Sequence, residues 1–501
     1  MSGFTADSLV SNFEAERVHT LGREGRRGAG VFYTPPEVAA QVVELAREHG
    51  ASGVVLDPCA GAGAFLLAAA RAGFKELRGI DLDGEALQVA RKALKAEGAT
   101  ARLIRGDALL LKPRGVVDCI VSNPPYGHVP ADEKLLSDFP ALRGGEIDRY
   151  AIFILRALQL VRPGGVAALL VPDTWMFLAR ARPLREEVLR LSEVAAAVDL
   201  GKPFAAAKDT RVQALVLVRK PARARATKVA RGREKLSPAP REELLANARR
   251  GWFLYRSAAE RALCAAMEAA SVPLGEACVV GYGMRTGNNP RYVARRAPAS
   301  SSEVGLCGGE DVTPFALRLR PKTLLHAAEL GALVERQRGR PRIAVQRIRT
   351  NAQTPWARWI EAAPVPPELV CLDSLSTLAC DSSQRLWALL ALVQSVALQR
   401  FHRLRTTDVN VKPGALRELP VPRGLLDEPL PLASLARARA AGRDVDRAID
   451  ACVYRLFGLS GDLIEACERG FWGDRFPEEN QRLEQFMSDP PASVARKEEL
   501  A

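Results

Sequence analysis

The sequence predicts an α/β fold for the first half of the chain, with a mostly parallel sheet covered by helices on both faces. Between residues 37 and 218, short apolar runs alternate with stretches in which apolar residues recur at helical spacing. The runs 116–121 and 166–171 are apolar over most of their length, which is typical of strands buried on both sides. Ligands of such sheets bind at the carboxyl ends of the strands, so candidate site residues are expected there.

Each element follows from its own pattern. Pro36 after Thr34 and Pro35 fits the start of an amphipathic helix, and Gly61 and Gly63 allow a tight turn into a second one. The predicted helices are 37–49, one beginning near Ala64, 84–94 and 149–161, and the predicted strands are 53–56, 77–80, 101–104, 116–121, 166–171, 194–200 and 211–218.

The first strand leads into a glycine-rich turn, LDPCAGAGAF, with Asp57 at its head. The turn lacks the lysine of a phosphate-binding P-loop and the three-glycine spacing of a dinucleotide fingerprint. Glycines allow a ligand to approach the backbone, and the helix N-terminus supplies free N–H groups. The turn therefore suits a ligand that is not a polyphosphate.

Acidic residues end the next two predicted strands. Asp81 lies about twenty residues beyond the turn, where a carboxylate is placed to accept hydrogen bonds from ribose hydroxyls. Asp83 fits better as the N-cap of the following helix. Asp107 could accept from an exocyclic amine, although an aspartate at a strand end is also common in turns.

The fourth strand runs into Asn123-Pro124-Pro125-Tyr126. A strand cannot continue through two prolines, so the chain must turn out of the sheet there. The turn offers an amide oxygen, a carbonyl and an aromatic ring, a set that suits a planar substrate with an amino group. A strand end that is merely stiffened by prolines is the alternative.

Five blocks in this order, GVFYTPPEVA, LDPCAGAGAF, GIDLD, GDALLL and VSNPPYG, resemble the gamma-class, TaqI-like S-adenosylmethionine-dependent DNA adenine-N6 methyltransferases. The resemblance covers the first 220 residues. It implies a Rossmann-like methyltransferase sheet of seven strands, one of them antiparallel. A mixed α+β target-recognition domain and a helical tail are expected to follow.

The resemblance also implies roles for individual residues. The methionine end of S-adenosylmethionine would be held by Thr34, Asp57, Ala60, Gly61 and Gly63, the ribose by Asp81 and the adenine by Asp107. For Thr34 a capping role is an equal alternative. The catalytic set would be Asn123, Pro124, Pro125 and Tyr126, with Tyr126 and Phe204 stacking on the target base. Phe204 could equally be a core residue.

The activity that the resemblance implies is methylation of an adenine flipped out of double-stranded DNA, within a restriction-modification or related defence system. Paired acceptors on the amino group would localise its lone pair, so no covalent intermediate or general base is needed, and His128 is expected to be a loop residue. The same tetrad also serves methyltransferases of RNA (adenine N6 or guanine N2) and of protein glutamine amides. Cytosine N4 and a catalytically silent DNA-binding subunit are weaker alternatives.

The second half is expected to bind DNA. Predicted boundaries are a catalytic domain at 1–220, a basic linker at 221–250, a target-recognition domain at 251–426 and a helical region at 427–501. VVGYGMRTGNN and LRELPVP resemble the beginning and end of the recognition domain in TaqI-like enzymes. The stretch 219–235, RKPARARATKVARGREK, contains eight basic residues, and it either only joins domains or follows phosphates.

The stretch 336–349 contains six arginines and no acidic residue. Alternation in IAVQRIR predicts a strand that presents its polar residues to one side, either for base readout or as a solvated basic face. The predicted DNA-contacting residues are Arg342, Gln346, Arg347 and Arg349.

Composition narrows the remaining possibilities. The 501 residues carry a net charge of +13 and are 48% hydrophobic, which fits two or three folded domains and a polyanionic partner. Nine cysteines without a CxxC pair and five scattered histidines predict neither a disulfide framework nor a metal site. We expect no membrane segment, a cytoplasmic enzyme of a bacterium or archaeon, and any companion restriction endonuclease to be a separate protein.

Overall fold

The structure is a computed structural model. It describes residues 5–29, 34–110, 117–129, 133–143, 147–176, 178–204, 211–221, 227–231, 237–239, 244, 252, 257–299, 303–335, 337, 339, 341–347, 358–405 and 410–487.

The chain divides into two compact units, Met1–Tyr255 and Arg256–Ala501. The helices of the first unit are α1 (Ala6–Ala29), α2 (Pro36–Glu48), α3 (Ala64–Arg71), α4 (Gly84–Ala96), α5 (Glu133–Asp138), α6 (Arg149–Leu160) and α7 (Arg182–Leu191). Its strands are β1 (Val54–Asp57), β2 (Glu76–Asp81), β3 (Ala101–Arg105), β4 (Val117–Ser122), β5 (His128–Val129), β6 (Ile147–Asp148), β7 (Val161–Pro172), β8 (Ser192–Gly201), β9 (Val212–Arg219), β10 (Thr227–Arg231) and β11 (Ser237–Ala239).

Nine of the described strands of this unit form one sheet, in the order β3-β2-β1-β4-β7-β9-β8-β10-β11. The pairs from β3 to β7 are parallel, whereas β9 runs antiparallel to both of its neighbours. The α/β prediction is confirmed, and each predicted strand is present within a few residues of its expected limits. The side-by-side position of β1 and β4, with connections leaving in opposite directions, creates the switch point at which such sheets bind ligands.

The predicted basic linker is wrong in its middle part. Residues 227–231 form β10, which pairs in parallel with β8, and residues 237–239 form β11 beside it. Val229 and Ala230 are buried, and the Thr227 hydroxyl donates to the Val194 carbonyl at 2.7 Å. The many basic residues obscured a short apolar pattern that extends the sheet. The first unit therefore continues well beyond residue 220.

Burial explains why the apolar runs fold as they do. In β4 the side chains of Cys119, Ile120 and Val121 are fully buried, because helices cover both faces of the sheet. Helix α2 turns its apolar side, including Val42 and Ala46, toward the same core. The strand ends are thus fixed by a packed interior, and the loops that follow them occupy defined positions.

The second unit combines small sheets with helices. Its helices are α8 (Ala258–Ala269), α9 (Leu274–Ala277), α10 (Asn289–Tyr292), α11 (Gly331–Glu335), α12 (Ser383–Gln394), α13 (Val396–Arg405), α14 (Pro413–Arg417), α15 (Arg423–Asp427), α16 (Leu430–Ala440), α17 (Asp446–Leu456), α18 (Gly461–Trp472) and α19 (Phe476–Met487). Its strands are β12 (Ser271–Pro273), β13 (Val279–Tyr282), β14 (Val293–Ala294), β15 (Val304–Cys307), β16 (Val312–Thr313), β17 (Ala316–Leu317), β18 (Thr323–Leu324), β19 (Arg342–Gln346), β20 (Ala362–Val365), β21 (Val370–Cys371), β22 (Leu375–Ala379) and β23 (Pro420–Pro422).

In the described part of this unit, β13-β22-β19-β20 form an antiparallel sheet. Helices α12 and α16 pack against each other, and one hydrophobic cluster joins Leu389 and Phe401 to Leu435 and Tyr454. The predicted division at residue 427 is therefore wrong, because the tail helices share their core with the preceding residues.

Within the described ranges, no helix is both long and apolar enough to cross a membrane.

Candidate active site

The bend after β4 lies at the carboxyl edge of the sheet, as predicted. Strand β4 ends at Ser122, and the next four residues adopt neither helix nor strand. Asn123 and Pro125 are partly exposed, whereas Pro124 and Tyr126 are buried. Because two of its residues remain accessible, the bend is not sealed beneath the surrounding side chains.

The Asn123 amide is held at both ends. Its Nδ2 donates to the Thr34 hydroxyl at 3.0 Å, and its Oδ1 accepts from the Tyr126 hydroxyl at 2.8 Å. The Tyr126 hydroxyl also lies 3.1 Å from the Leu170 carbonyl. The Pro124 carbonyl accepts no hydrogen bond from any residue that the structure describes. The bend therefore presents two oxygens that can accept hydrogen bonds, the Pro124 carbonyl and Asn123 Oδ1.

Tyr126 and Phe204, which are expected to stack on the target base, are both largely buried, and their stacking role stays a prediction. They are 6% and 4% exposed, with ring centroids 6.3 Å apart. Tyr150 packs edge-on against Tyr126 at 6.3 Å. Burial raises the pKa of the Tyr126 hydroxyl well above its usual value, so the hydroxyl remains a hydrogen-bond donor. In this structure Tyr126 orients Asn123, and Phe204 is a core residue.

The glycine turn has the backbone that the sequence predicted. Gly61 and Gly63 have φ angles of 48° and 96°, in the left-handed region that favours glycine. A Cβ at Gly63 would also lie 2.9 Å from the Cβ of Ala90, so this position permits no side chain without displacement of α4. Ala60, which is buried, accepts from the Gly63 amide at 2.8 Å and closes the turn. Helix α3 then begins at Ala64.

Asp57 is a fully buried carboxylate at the head of this turn. Its Oδ1 accepts from the Ser122 hydroxyl at 2.6 Å and from the Cys59 amide at 3.0 Å. Its Oδ2 is also buried and has no hydrogen-bond partner among the described residues. Burial raises the pKa of Asp57 to about 7, although its hydrogen bonds act in the opposite direction. A cation that reached Oδ2 would satisfy this group.

Asp81 connects the turn to the end of β2. Its Oδ2 accepts from the Gly61 amide at 2.7 Å and its Oδ1 from the Asp83 amide at 2.9 Å. Burial raises its pKa. Asp83 is the N-cap of α4, because its side chain accepts from the amides of Glu85 and Ala86, as the sequence predicted.

Asp107 lies at the next strand end, where its Oδ1 accepts from the Leu109 amide at 2.8 Å. Burial, followed by the charges of Asp57, Asp81 and Asp107, raises the pKa of the Cys59 thiol well above its usual value. The charges of all three carboxylates thus act on the Cys59 thiol. Hydrogen bonds connect Thr34 to Asn123 and Gly61 to Asp81, so the structure brings these predicted residues together in pairs.

Sequence reasoning missed the supporting groups. Ser122 orients Asp57, the Leu170 carbonyl holds Tyr126, and Asp148 accepts from the Gly127 amide at 2.9 Å just after the bend. Nothing in the local sequence marks Ser122 or Leu170, because their roles depend on which strands are neighbours. His128 is exposed, but it lies in the short strand β5 rather than in a loop.

The predicted DNA-contacting residues of the second unit differ in exposure. Arg342 is wrong as a surface contact, because it is 4% exposed and its Nη1 donates to Gln337 at 3.2 Å. Gln346 and Arg347 are partly exposed, and the Arg347 guanidinium lies over the ring of Tyr282 at 5.6 Å, with Tyr282 55% exposed. Arg349 lies outside the described residues.

The first half of the chain matches a known protein family. Residues 18–232 match the family model for N-6 DNA Methylase. The type II methyltransferase M.VspI of Vibrio sp. (strain 343) is 31% identical over 193 residues, which are 37% of this chain and 47% of that protein. This chain therefore spans about half the length of that relative.

Two further relatives match this chain over very different lengths. Release factor glutamine methyltransferase of Streptomyces coelicolor is 33% identical over 30% of this chain and 60% of its own length. The type II methyltransferase M.PaeR7I of Pseudomonas aeruginosa is 26% identical over 446 residues, 74% of this chain and 76% of that protein. Similarity to M.PaeR7I thus reaches into the second unit.

Proposed function

Because residues 18–232 match the family model for N-6 DNA Methylase, we propose that this protein is a site-specific DNA adenine-N6 methyltransferase. S-adenosylmethionine would be the methyl donor and an adenine flipped out of duplex DNA the acceptor. The order of the five sequence blocks supports placement in the gamma class. Such an enzyme would act in the cytoplasm of a bacterium or archaeon, with any restriction endonuclease encoded separately.

The bend at Asn123 and Pro124 is the observation that carries this proposal. An exocyclic amine has two hydrogens, and the bend offers two oxygen acceptors, Asn123 Oδ1 and the Pro124 carbonyl. The amine lone pair is delocalised into the ring and is a poor nucleophile. Two hydrogen bonds to fixed oxygens localise that lone pair on nitrogen and direct it, so catalysis is by position and electrostatics.

The residues beside the bend fit the cofactor. The buried Oδ2 of Asp57, which has no partner among the described residues, suits an α-ammonium group, and the open space beside Gly61 leaves room for close approach. Asp81 retains lone pairs for ribose hydroxyls, and Asp107 lies at the neighbouring strand end. When bound, the cofactor supplies an electrophilic methyl group on a sulfonium.

Duplex DNA as the substrate is supported by the charge of the chain and by its second unit. The net charge is +13, and Gln346 and Arg347 lie on a partly exposed strand end, with Arg347 beside the exposed ring of Tyr282. Arginine and glutamine side chains can read guanine and adenine edges, and arginine also pairs with phosphate. Flipping the base costs a few kcal/mol of stacking, which contacts of this kind offset.

RNA or a protein glutamine amide is the rival substrate class. A planar NH₂ fits the same two acceptors in each case, and the relative from Streptomyces coelicolor is named as a glutamine methyltransferase. The match to that relative covers only 30% of this chain, whereas the match to a type II methyltransferase reaches 74%. The second unit therefore favours DNA.

A direct assay tests the proposal. Purified protein is incubated with labelled S-adenosylmethionine and unmethylated plasmid, and the digested nucleosides are separated. We expect label in N6-methyladenine, restricted to one sequence context when the plasmid is sequenced for modified bases. Parallel reactions contain total RNA or a release factor. Label only in RNA or in the release factor would assign the enzyme to the rival class.

A further inference from the structure

Thr34 connects the segment before α2 to the bend after β4. It is 5% exposed, and its hydroxyl lies 3.0 Å from Asn123 Nδ2, across 89 residues of sequence. The next residue, Pro35, is the N-cap of α2, and Pro36 begins the helix. The buried apolar side of α2 anchors that helix to the core. The position of the Thr34 hydroxyl is therefore set by rigid structure.

An asparagine amide must point the right way to act on an amine. Its Oδ1 accepts hydrogen bonds, whereas its Nδ2 donates and would repel an incoming NH₂. Rotation of the amide by 180° exchanges these two atoms at almost no cost in shape. A neighbouring group must therefore favour one orientation if Oδ1 is to face the substrate.

In the structure the Asn123 amide adopts one of these two orientations. The Thr34 hydroxyl takes a hydrogen from Nδ2, and the Tyr126 hydroxyl donates to Oδ1 at 2.8 Å. The Tyr126 hydroxyl also has the Leu170 carbonyl at 3.1 Å as an acceptor, so it can turn away from Oδ1 when an amine donates to that oxygen. The Thr34 contact does not compete with substrate, because it involves the other end of the amide.

We propose that Thr34 is a positioning residue that acts through Asn123: its hydroxyl accepts the Nδ2 hydrogen and keeps Oδ1 directed at the target amine. This inference rests on the proposed methyltransferase function and deepens it. The side chain of Thr34 is then needed for the rate of methyl transfer, rather than for cofactor affinity. The segment before α2 thereby contributes to the base side of the site.

Two substitutions at one position separate these roles. Thr34→Val keeps the shape of the side chain and removes the acceptor, whereas Thr34→Ser keeps the hydroxyl and removes a methyl group. Methyl transfer is measured in a single turnover with saturating S-adenosylmethionine and DNA. The dissociation constant of S-adenosylhomocysteine is measured by calorimetry. We expect Thr34→Val to lower the rate about tenfold or more while the dissociation constant stays close to the wild-type value, and Thr34→Ser to rescue most of the rate.

Other results would overturn the inference. A higher dissociation constant with an unchanged saturated rate would make Thr34 a cofactor contact only, and an unchanged rate and affinity would make its hydroxyl irrelevant. An equal loss in Thr34→Ser and Thr34→Val would point to packing. If Thr34→Val does not fold, Thr34→Ala is compared with Thr34→Ser by the same readouts. Wild-type protein that makes no N6-methyladenine would instead refute the proposed function.

Discussion

The carboxyl edge of the first sheet and strand β19 of the second unit both carry polar residues, yet the fold places these side chains differently. At the edge, Asp57, Asp81 and Asn123 stand where strands stop, and hydrogen bonds from amides and hydroxyls hold them in place. In β19, Arg342 is buried although it begins a strand of alternating character.

The two regions differ in the side chains that pack around each polar residue. Both faces of β19 are packed, since Ile343 and Val345 belong to one hydrophobic cluster and Ala344 to another. Arg342 therefore has no solvent face to occupy, and burial lowers the pKa of its guanidinium. The polar groups at the carboxyl edge lie where strands stop, whereas Arg342, the first residue of β19, is placed by what packs on the two faces of that strand.

The strand-end residue Asn123 should give the largest effect. Asn123→Ala removes one of the two proposed acceptors, so methyl transfer should fall by about 10²- to 10³-fold. Labelled methyl incorporation into plasmid DNA measures the loss, and calorimetry with S-adenosylhomocysteine should show an unchanged affinity. His128→Ala is the matched control, because His128 is exposed just beyond the bend and should leave the rate unchanged. Near-normal activity of Asn123→Ala would remove the bend from the active site.

Substitution of Asp57 tests whether a buried carboxylate at a strand end contributes to cofactor binding. Asp57→Asn should weaken S-adenosylhomocysteine binding by about 10- to 100-fold at pH 8, because a hydrogen bond to a charged group is lost. The pKa of Asp57 is raised to about 7, so the wild-type affinity should increase from pH 6 to pH 8 as the carboxyl ionises, and the affinity of the variant should not. Calorimetry across this range provides the measurement.

The same pKa fixes the sign of a stability effect. Folded Asp57 keeps a proton that the unfolded chain releases above pH 3.8, so its contribution to the free energy of unfolding falls as pH rises toward about 7. The difference in stability between wild type and Asp57→Asn should follow that slope. Asp83→Ala is the control: loss of the α4 cap should cost about 1 kcal/mol in urea unfolding and leave cofactor affinity unchanged. Equal pH slopes in wild type and Asp57→Asn would contradict the assignment.

The two arginines of the β19 region should give the smallest effects and the sharpest contrast. Arg347→Ala should weaken DNA binding severalfold and reduce the slope of log affinity against log salt by about 1 if the side chain contacts a phosphate. Arg342→Met should leave that slope unchanged and alter only stability, because Arg342 is buried. Fluorescence anisotropy with labelled duplex across a salt series tests both. A change of slope in Arg342→Met alone would reverse the assignment.

Much of the first unit could be predicted from local patterns. Continuous apolar runs gave the strands because the sheet is covered on both faces, and prolines and glycines marked where the chain leaves it. Strands β10 and β11 were missed because lysines and arginines are dense around a run of few apolar residues. The tail helices share one hydrophobic core with residues 256–427. This shared core was missed because it depends on contacts between helices that are distant in sequence.

The sequence by itself determined where chemistry sits along the chain: Asp57, Asp81 and Asn123 follow strands whose apolar character forces them into one sheet. Only the tertiary structure decided what each group contacts. It brought Ser122 to Asp57, Thr34 to Asn123 and the Leu170 carbonyl to Tyr126, and it buried the rings of Tyr126 and Phe204. The physical reason is that burial and hydrogen bonding depend on neighbours across the sheet, which are distant in sequence.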